Sequence, residues 1–471
     1  VTLTMPRRRL RRAGVLIAIV LAVAVPLVAA VALAPTQGIR PLLEIGLLVG
    51  PVAAGCWFAL QRPVIALVTI FVGLAPVDFL LFLGNGTSAT RLIGFAATGA
   101  LVLGLCARGS SGRVPASVLA WLVAYVYMSA SLIWAGDQPK AIERLESTGL
   151  ALLLVALVGV SKLDRVDLHA LLLAVVAGGF GAAVYMFATQ PHTSGDAVAR
   201  AYLTNGREAI DPNGVAFALM PPLAIVLGAA LGHGPRVRRI LGTALIPVFM
   251  FAILRTESRG GLIAATMMIL WMAVRSRQRA VAGVILGLAG LLAFLQNGVF
   301  SRFNDAEGAG RTSIWKVGVE AFRNHWLFGN GYGTFSDAYN QAYLSVPHTF
   351  HTGWSREAHD LIISAFVELG VVGGSLVLYA FWRQFRELRA IPIDDPDLWL
   401  RLTAEGGILA VFVVAIFLDI LPLKPAWVLP LLIAAAASVR ARERAPTGLS
   451  SQDSGPEGRS VAGAAPVRLR T

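Results

Sequence analysis

Charge is what this sequence lacks. Only 14% of its 471 residues are Asp, Glu, Lys or Arg, where a soluble domain carries roughly 25%. With 56% hydrophobic residues, the chain belongs in a bilayer rather than in water. Cysteine is nearly missing too. Cys56 and Cys106 both lie in apolar runs, outside any CxxC or Cys/His cluster, which excludes a disulfide framework and a thiolate zinc site. Acidic residues are outnumbered, 27 to 40, for a net charge of +13. The excess does not form a basic face interleaved with stacking aromatics, so nucleic acid is not an expected partner.

What is present is a ladder of apolar runs. Residues 1–12 form a basic start (RRRLRR at 7–12), and the first apolar run extends from Gly14 to Ala34. That run is longer than a signal-peptide core and suits an uncleaved spanning helix. Further spans are expected at 42–60, 64–83, 91–107, 117–134, 148–161, 168–188, 213–231, 239–254, 259–274, 280–296, 359–382, 404–421 and 425–439. The expected fold class is therefore all-α: a polytopic integral membrane protein of about 12–14 transmembrane helices, each near the ~20 residues needed to cross. The membrane domain covers residues 13–440, and residues 441–471 make a tail, rich in Gly, Ser, Pro and Arg from 445 on, that is expected to be disordered.

Basic residues fall in alternate loops: RRRLRR, Arg62, Arg108 with Arg113, Lys162 with Arg165, RVRR (236–239), RSRQR (275–279), the Arg383/Arg386/Arg389/Arg401 group and RARER (440–444). By the positive-inside rule these loops face the cytoplasm, as do both termini. The long polar loop at 297–358, the loop at 189–212 and the turn RTESRGG (255–261) then lie outside.

Within the long loop, Trp315, Val319, Phe322 and Trp326 recur at helical spacing and predict an amphipathic helix lying on the outer leaflet. Arg311 stands just before it, and Asn330-Gly331-Tyr332-Gly333 follows as a glycine-rich turn. His348 and His351 have no third ligand at metal spacing. His359 opens the next spanning helix, where an ionisable group is costly without a task or a partner and where the helix dipole favours a neutral imidazole. Ser258 is placed to cap the helix that starts at Arg259, and Gly260-Gly261 would admit a close approach of backbone or ligand.

The order SRGG, GRTSIW, GNGYGTF, EAHDLIISAFVELGVVGG, preceded by DPNGVAFAL, resembles the O-antigen ligase and O-antigen polymerase family over residues 198–375. The resemblance implies a GT-C-like helical enzyme that moves glycan from an undecaprenyl-diphosphate carrier to a glycan or glycolipid acceptor on the outer face of the cytoplasmic membrane, without metal or other cofactor. By position it gives His359 and Arg311 as catalytic residues. Arg200 (or Arg207 in the competing alignment), Arg259 and Arg311 become ligands of the donor diphosphate. Asp360 stands where the family usually has Asn, a negative charge beside His359 that would raise its pKa. The competing class is a lipid-linked oligosaccharide flippase. Transporters gather ionisable groups at the bilayer midplane, often within inverted repeats. Here such groups gather at helix ends, and the sequence shows no repeat.

Overall fold

The computed structural model describes residues 60–81, 88–110, 114–188, 203–204, 209–276, 311–350, 353–389 and 397–444, together with the isolated positions 283, 287 and 290. The expected spans at 14–34, 42–60 (but for Leu60) and 280–296 (but for those three positions), the tail from 445 on, and Arg200 and Arg207 lie outside the described residues.

Among the described residues, fourteen α-helices follow in chain order: α1 Pro63–Leu74, α2 Ala89–Arg108, α3 Ala116–Ala130, α4 Gln138–Val160, α5 Arg165–Ala188, α6 Pro212–Ala218, α7 Met220–Leu231, α8 Arg236–Arg255, α9 Arg259–Ser276, α10 Arg311–Asn324, α11 Phe335–Ala342, α12 Leu361–Arg389, α13 Leu398–Ala415 and α14 Pro425–Arg444. Among the described residues, seven helical segments are long and apolar enough to cross a membrane. The only strands described are a two-residue antiparallel pair, Leu203 opposite Ile210 and Thr204 opposite Ala209.

The centre of the bundle is α6–α7. Every residue of α7 is buried, as befits a helix that is apolar all round. It packs against α5, α8, α9 and α13. Gly228 makes the contact with α13 possible, because a Cβ there would lie 2.1 Å from Thr403 Oγ1. Small residues let membrane helices approach this closely.

Polar contacts fall at the two ends of the bundle, as the alternation of loops requires. At one end Arg62 pairs with Asp164 (2.8 Å) and Asp167, Arg165 with Glu443 (2.6 Å), and the buried Glu405 with Arg401 (2.7 Å) and Arg275 (3.2 Å). At the other end Lys424 binds Asp78 (2.9 Å), and Ser258 binds Asn213.

Several boundaries differ from the expectation: the span read at 148–161 already begins at Gln138, and the one read from His359 begins at Leu361, with His359 itself just outside the helix. The helix read at 404–421 is Leu398–Ala415, because Phe417 N–H bonds back to Val414 and the chain then turns so that Asp419 enters a polar cluster. Helix α14 continues through Arg444 instead of stopping at 439, with the Arg165–Glu443 pair on its last turn. The segment read as one straight span from 359 is broken at Gly370 (φ 65°, ψ −169°).

That break joins the long loop to the bundle. Flipping Gly370 opens the backbone ladder of α12, and the loop completes it. Val371 and Val372 N–H donate to the carbonyls of Trp326 (2.8 Å) and Leu327 (3.3 Å), while the carbonyls of Val367 and Glu368 accept from Asn330 (3.1 Å) and Gly331 (2.7 Å) N–H. Irregular backbone at membrane depth survives only when its polar groups find partners in this way.

Candidate active site

The long loop folds on its own small core. Helix α10 buries Ile314, Val317, Gly318 and Ala321 against Phe335, Tyr339, Ala358 and Val367. This packed face lies beside the stripe read from the sequence: of that stripe, Val319 and Trp326 remain exposed, while Trp315 Nε1 donates to the Ala358 carbonyl at 3.0 Å.

His359 sits where this core meets the bundle. Its backbone is left-handed (φ 48°), a conformation that costs a non-glycine residue about 1 kcal/mol or more. The neighbours on both sides are fixed. Ala358 is held by Trp315. Asp360 Oδ1 accepts from Ile363 N–H at 2.9 Å and caps α12, so its carboxylate is engaged with the helix start. Burial, and then the nearby Arg311 guanidinium, hold the His359 imidazole below its ordinary pKa, against the opposing charges of Asp211, Glu357 and Asp419. These four groups come from four separate stretches of chain.

Arg311 is the first residue of α10 and Arg259 the first of α9. The Ser258–Arg259 turn is tied to the Asp211-Pro212-Asn213 loop: Ser258 Oγ donates to Asn213 Oδ1 at 2.7 Å and accepts from Gly261 N–H at 3.1 Å, while Asp211 caps α6 through Asn213 N–H at 2.9 Å. The glycine pair serves packing here. A Cβ at Gly260 would lie 2.9 Å from the Phe417 ring, and one at Gly261 would lie 2.6 Å from Ala216 Cβ.

Behind His359 stands a cluster that sequence reading missed. Arg144 of α4 binds Asp419 at 2.6 Å and Glu357 at 3.0 Å, and approaches Glu368 to 3.9 Å. Lys140, one turn earlier, binds the other oxygen of Glu357 at 2.7 Å and Ser336 at 2.8 Å. Burial alone would raise the Glu357 carboxyl, but Arg144 and Lys140 outweigh it and hold it below the usual carboxylate range. Tyr332 of the glycine turn shares a 2.9 Å hydrogen bond with Thr148 of α4. A signal for this cluster is present in the sequence. Lys140 and Arg144 are four apart and in phase with the apolar residues that follow, so the segment before residue 148 reads equally well as the first turns of the helix. Among the described residues, no group of His, Cys, Asp and Glu is arranged to hold a metal.

One end of the bundle thus gathers Arg311, His359, the Arg259 turn and the Asp211–Asn213 helix start. Residues 243–378 match the O-antigen ligase family. The resemblance read from the motifs is borne out over that stretch, which includes Arg259, Arg311 and His359. No curated protein matches the chain. The match covers less than a third of the chain, and the apolar helices on either side of it mark a multi-pass membrane protein. The match ends before Asp419 and begins after Arg144, so the charged cluster draws on helices outside it.

Proposed function

We propose that the protein is a metal-independent, GT-C-like glycosyltransferase that moves glycan from a polyprenyl-diphosphate-linked donor to a glycan or lipid acceptor at the outer face of the cytoplasmic membrane. One observation carries the reading. The His359 imidazole is biased toward its neutral form beside Arg311, whose charge is permanent. A neutral imidazole accepts a proton at physiological pH, and a guanidinium binds phosphate oxygens bidentately.

The acceptor hydroxyl oxygen attacks the anomeric carbon while His359 takes its proton. The carbon–oxygen bond to the diphosphate breaks, and its electron pair leaves with the lipid diphosphate. Arg311 and Arg259 stabilise that charge, joined by Arg200 or Arg207 from the 189–212 loop. Donors fixed before the reaction are worth most where water is scarce. Direct displacement inverts the anomeric centre. The outward placement rests on the basic residues at the opposite end of the bundle.

The test uses the purified protein in lipid bilayers with a polyprenyl-diphosphate-linked glycan. His359→Ala and Arg311→Ala are expected to insert and fold as the parent does and to lose transfer. Full transfer by either variant overturns the assignment. Deletion of the gene then distinguishes the two reactions. Single repeat units left on the carrier indicate a polymerase, whereas full-length carrier-bound glycan beside an unmodified acceptor indicates a ligase.

A further inference from the structure

Glu357 lies two residues before His359, and its two carboxylate oxygens are held by different cations of α4, Lys140 at 2.7 Å and Arg144 at 3.0 Å. Arg144 also ties down Asp419, in the turn between α13 and α14, at 2.6 Å. It lies close to Glu368, whose oxygens accept from Gly333 and Phe335 N–H. One guanidinium therefore links α4, the segment preceding His359, the broken helix α12 and the α13–α14 turn. His359 needs such restraint, since its left-handed backbone is held only by what flanks it. The cap made by Asp360 fixes the C-terminal side, and Trp315 on the Ala358 carbonyl fixes the peptide that leads into His359. The N-terminal side is fixed through Glu357, and through Glu357 by α4.

We propose that Arg144 is a positioning residue for His359: with Lys140, it anchors Glu357 and so sets where the imidazole is presented and how much negative charge surrounds it. The proposal rests on His359 being the proton acceptor. The groups acting on the ring are Arg311, Asp211, Glu357 and Asp419, with Asp360 adjacent in the chain. Arg144 faces two of the carboxylates among them. Removing its charge leaves Glu357 and Asp419 less compensated, which favours the imidazolium. Removing the charge of Glu357 does the reverse.

The experiment is the pH dependence of transfer by the full chain in lipid bilayers, for the parent, Arg144→Met, Arg144→Lys and Glu357→Gln. For Arg144→Met, kcat is expected to fall by about tenfold or more, as for a misplaced reacting group, with donor KM little changed and the midpoint of the acid limb moved to higher pH. Glu357→Gln is expected to lower kcat and move that midpoint to lower pH. Arg144→Lys holds one carboxylate where arginine holds two, and is expected to recover part of kcat. A purely structural role would reduce active protein without moving either midpoint. Unmoved midpoints, or midpoints displaced in the same direction, overturn the proposal. Should Arg144→Met fail to fold, Glu357→Gln decides alone, because it preserves size and shape. His359→Ala separates the two readings. If it retains transfer, the assignment of the base is lost. If it is inactive while Arg144→Met behaves as the parent, only the positioning role is lost.

Discussion

Glu368 Oε2 accepts the Gly333 N–H at 2.8 Å, and its partner oxygen accepts that of Phe335 at 3.1 Å. A carboxylate two turns inside a membrane helix is thus occupied by the backbone of the long loop. It is 2% exposed, and Arg144 lies 3.9 Å away. Glu368→Ala would leave two buried N–H groups without an acceptor, each costing about 1–3 kcal/mol. Thermal unfolding in detergent is expected to shift down strongly for Glu368→Ala and less for Glu368→Gln, which keeps one acceptor oxygen. Equal midpoints for all three proteins would show that the loop does not depend on this residue.

The pH dependence of transfer follows from His359. Burial first, and Arg311 second, hold its pKa below the ordinary imidazole value, which is about 6.5. In the proposed mechanism the reactive form is the neutral ring. Activity is therefore expected at and above neutral pH and is expected to be lost as pH falls through the lowered value, with the acid limb below about 6.5. Arg311→Gln removes a charge that disfavours the imidazolium, and its residual activity is expected to show that limb at higher pH. A parent enzyme whose activity declines already between about pH 8 and 7 would contradict the depressed value.

Much of this arrangement is legible in the sequence. Apolar runs and alternating basic loops place the helix ends, and Arg62 then meets Asp164 and Asp167 of the loop that carries Lys162 and Arg165, at the end those basic residues were expected to share. His359, Arg311 and Arg259 were readable from motifs. Arg144 could be placed on its helix but not paired, because its partners Glu357 and Asp419 lie 213 and 275 residues away. Nor does the sequence reveal which of Gly370, Gly373 and Gly374 breaks α12. The choice is made by the 326–331 segment, which supplies the hydrogen bonds that the break leaves open.

Gly370 is therefore a sharp test of the stitched loop. Its φ of 65° suits glycine, and a Cβ would lie 2.3 Å from the Leu327 carbonyl oxygen and 2.6 Å from Gly329 N. The dihedral alone costs about 1–3 kcal/mol with a side chain, and the clash with backbone has no flexible neighbour to relieve it. Gly370→Ala is expected to lower the yield of folded protein and to expose the 326–331 segment to protease. Gly99, with nothing within 4 Å of its Cβ position, is the control: Gly99→Ala is expected to be harmless. Similar yields for the two variants would mean that the kink is not required.

The arginines make a prediction about metal. Arg259 and Arg311 each begin a helix, α9 and α10, where the helix dipole adds to the positive potential seen by an anion. A lipid diphosphate leaving group can be stabilised by such fixed cations without a divalent ion, since the guanidinium stays charged at every working pH. Transfer by the purified protein is expected to survive EDTA and to need no nucleotide. Arg311→Lys keeps the charge but loses the planar fork, so transfer is expected to fall by about tenfold or more, because Lys offers a point charge where bidentate geometry is used. If EDTA abolishes transfer and magnesium restores it, the diphosphate charge is being met by a metal, and the two helix starts have a different task.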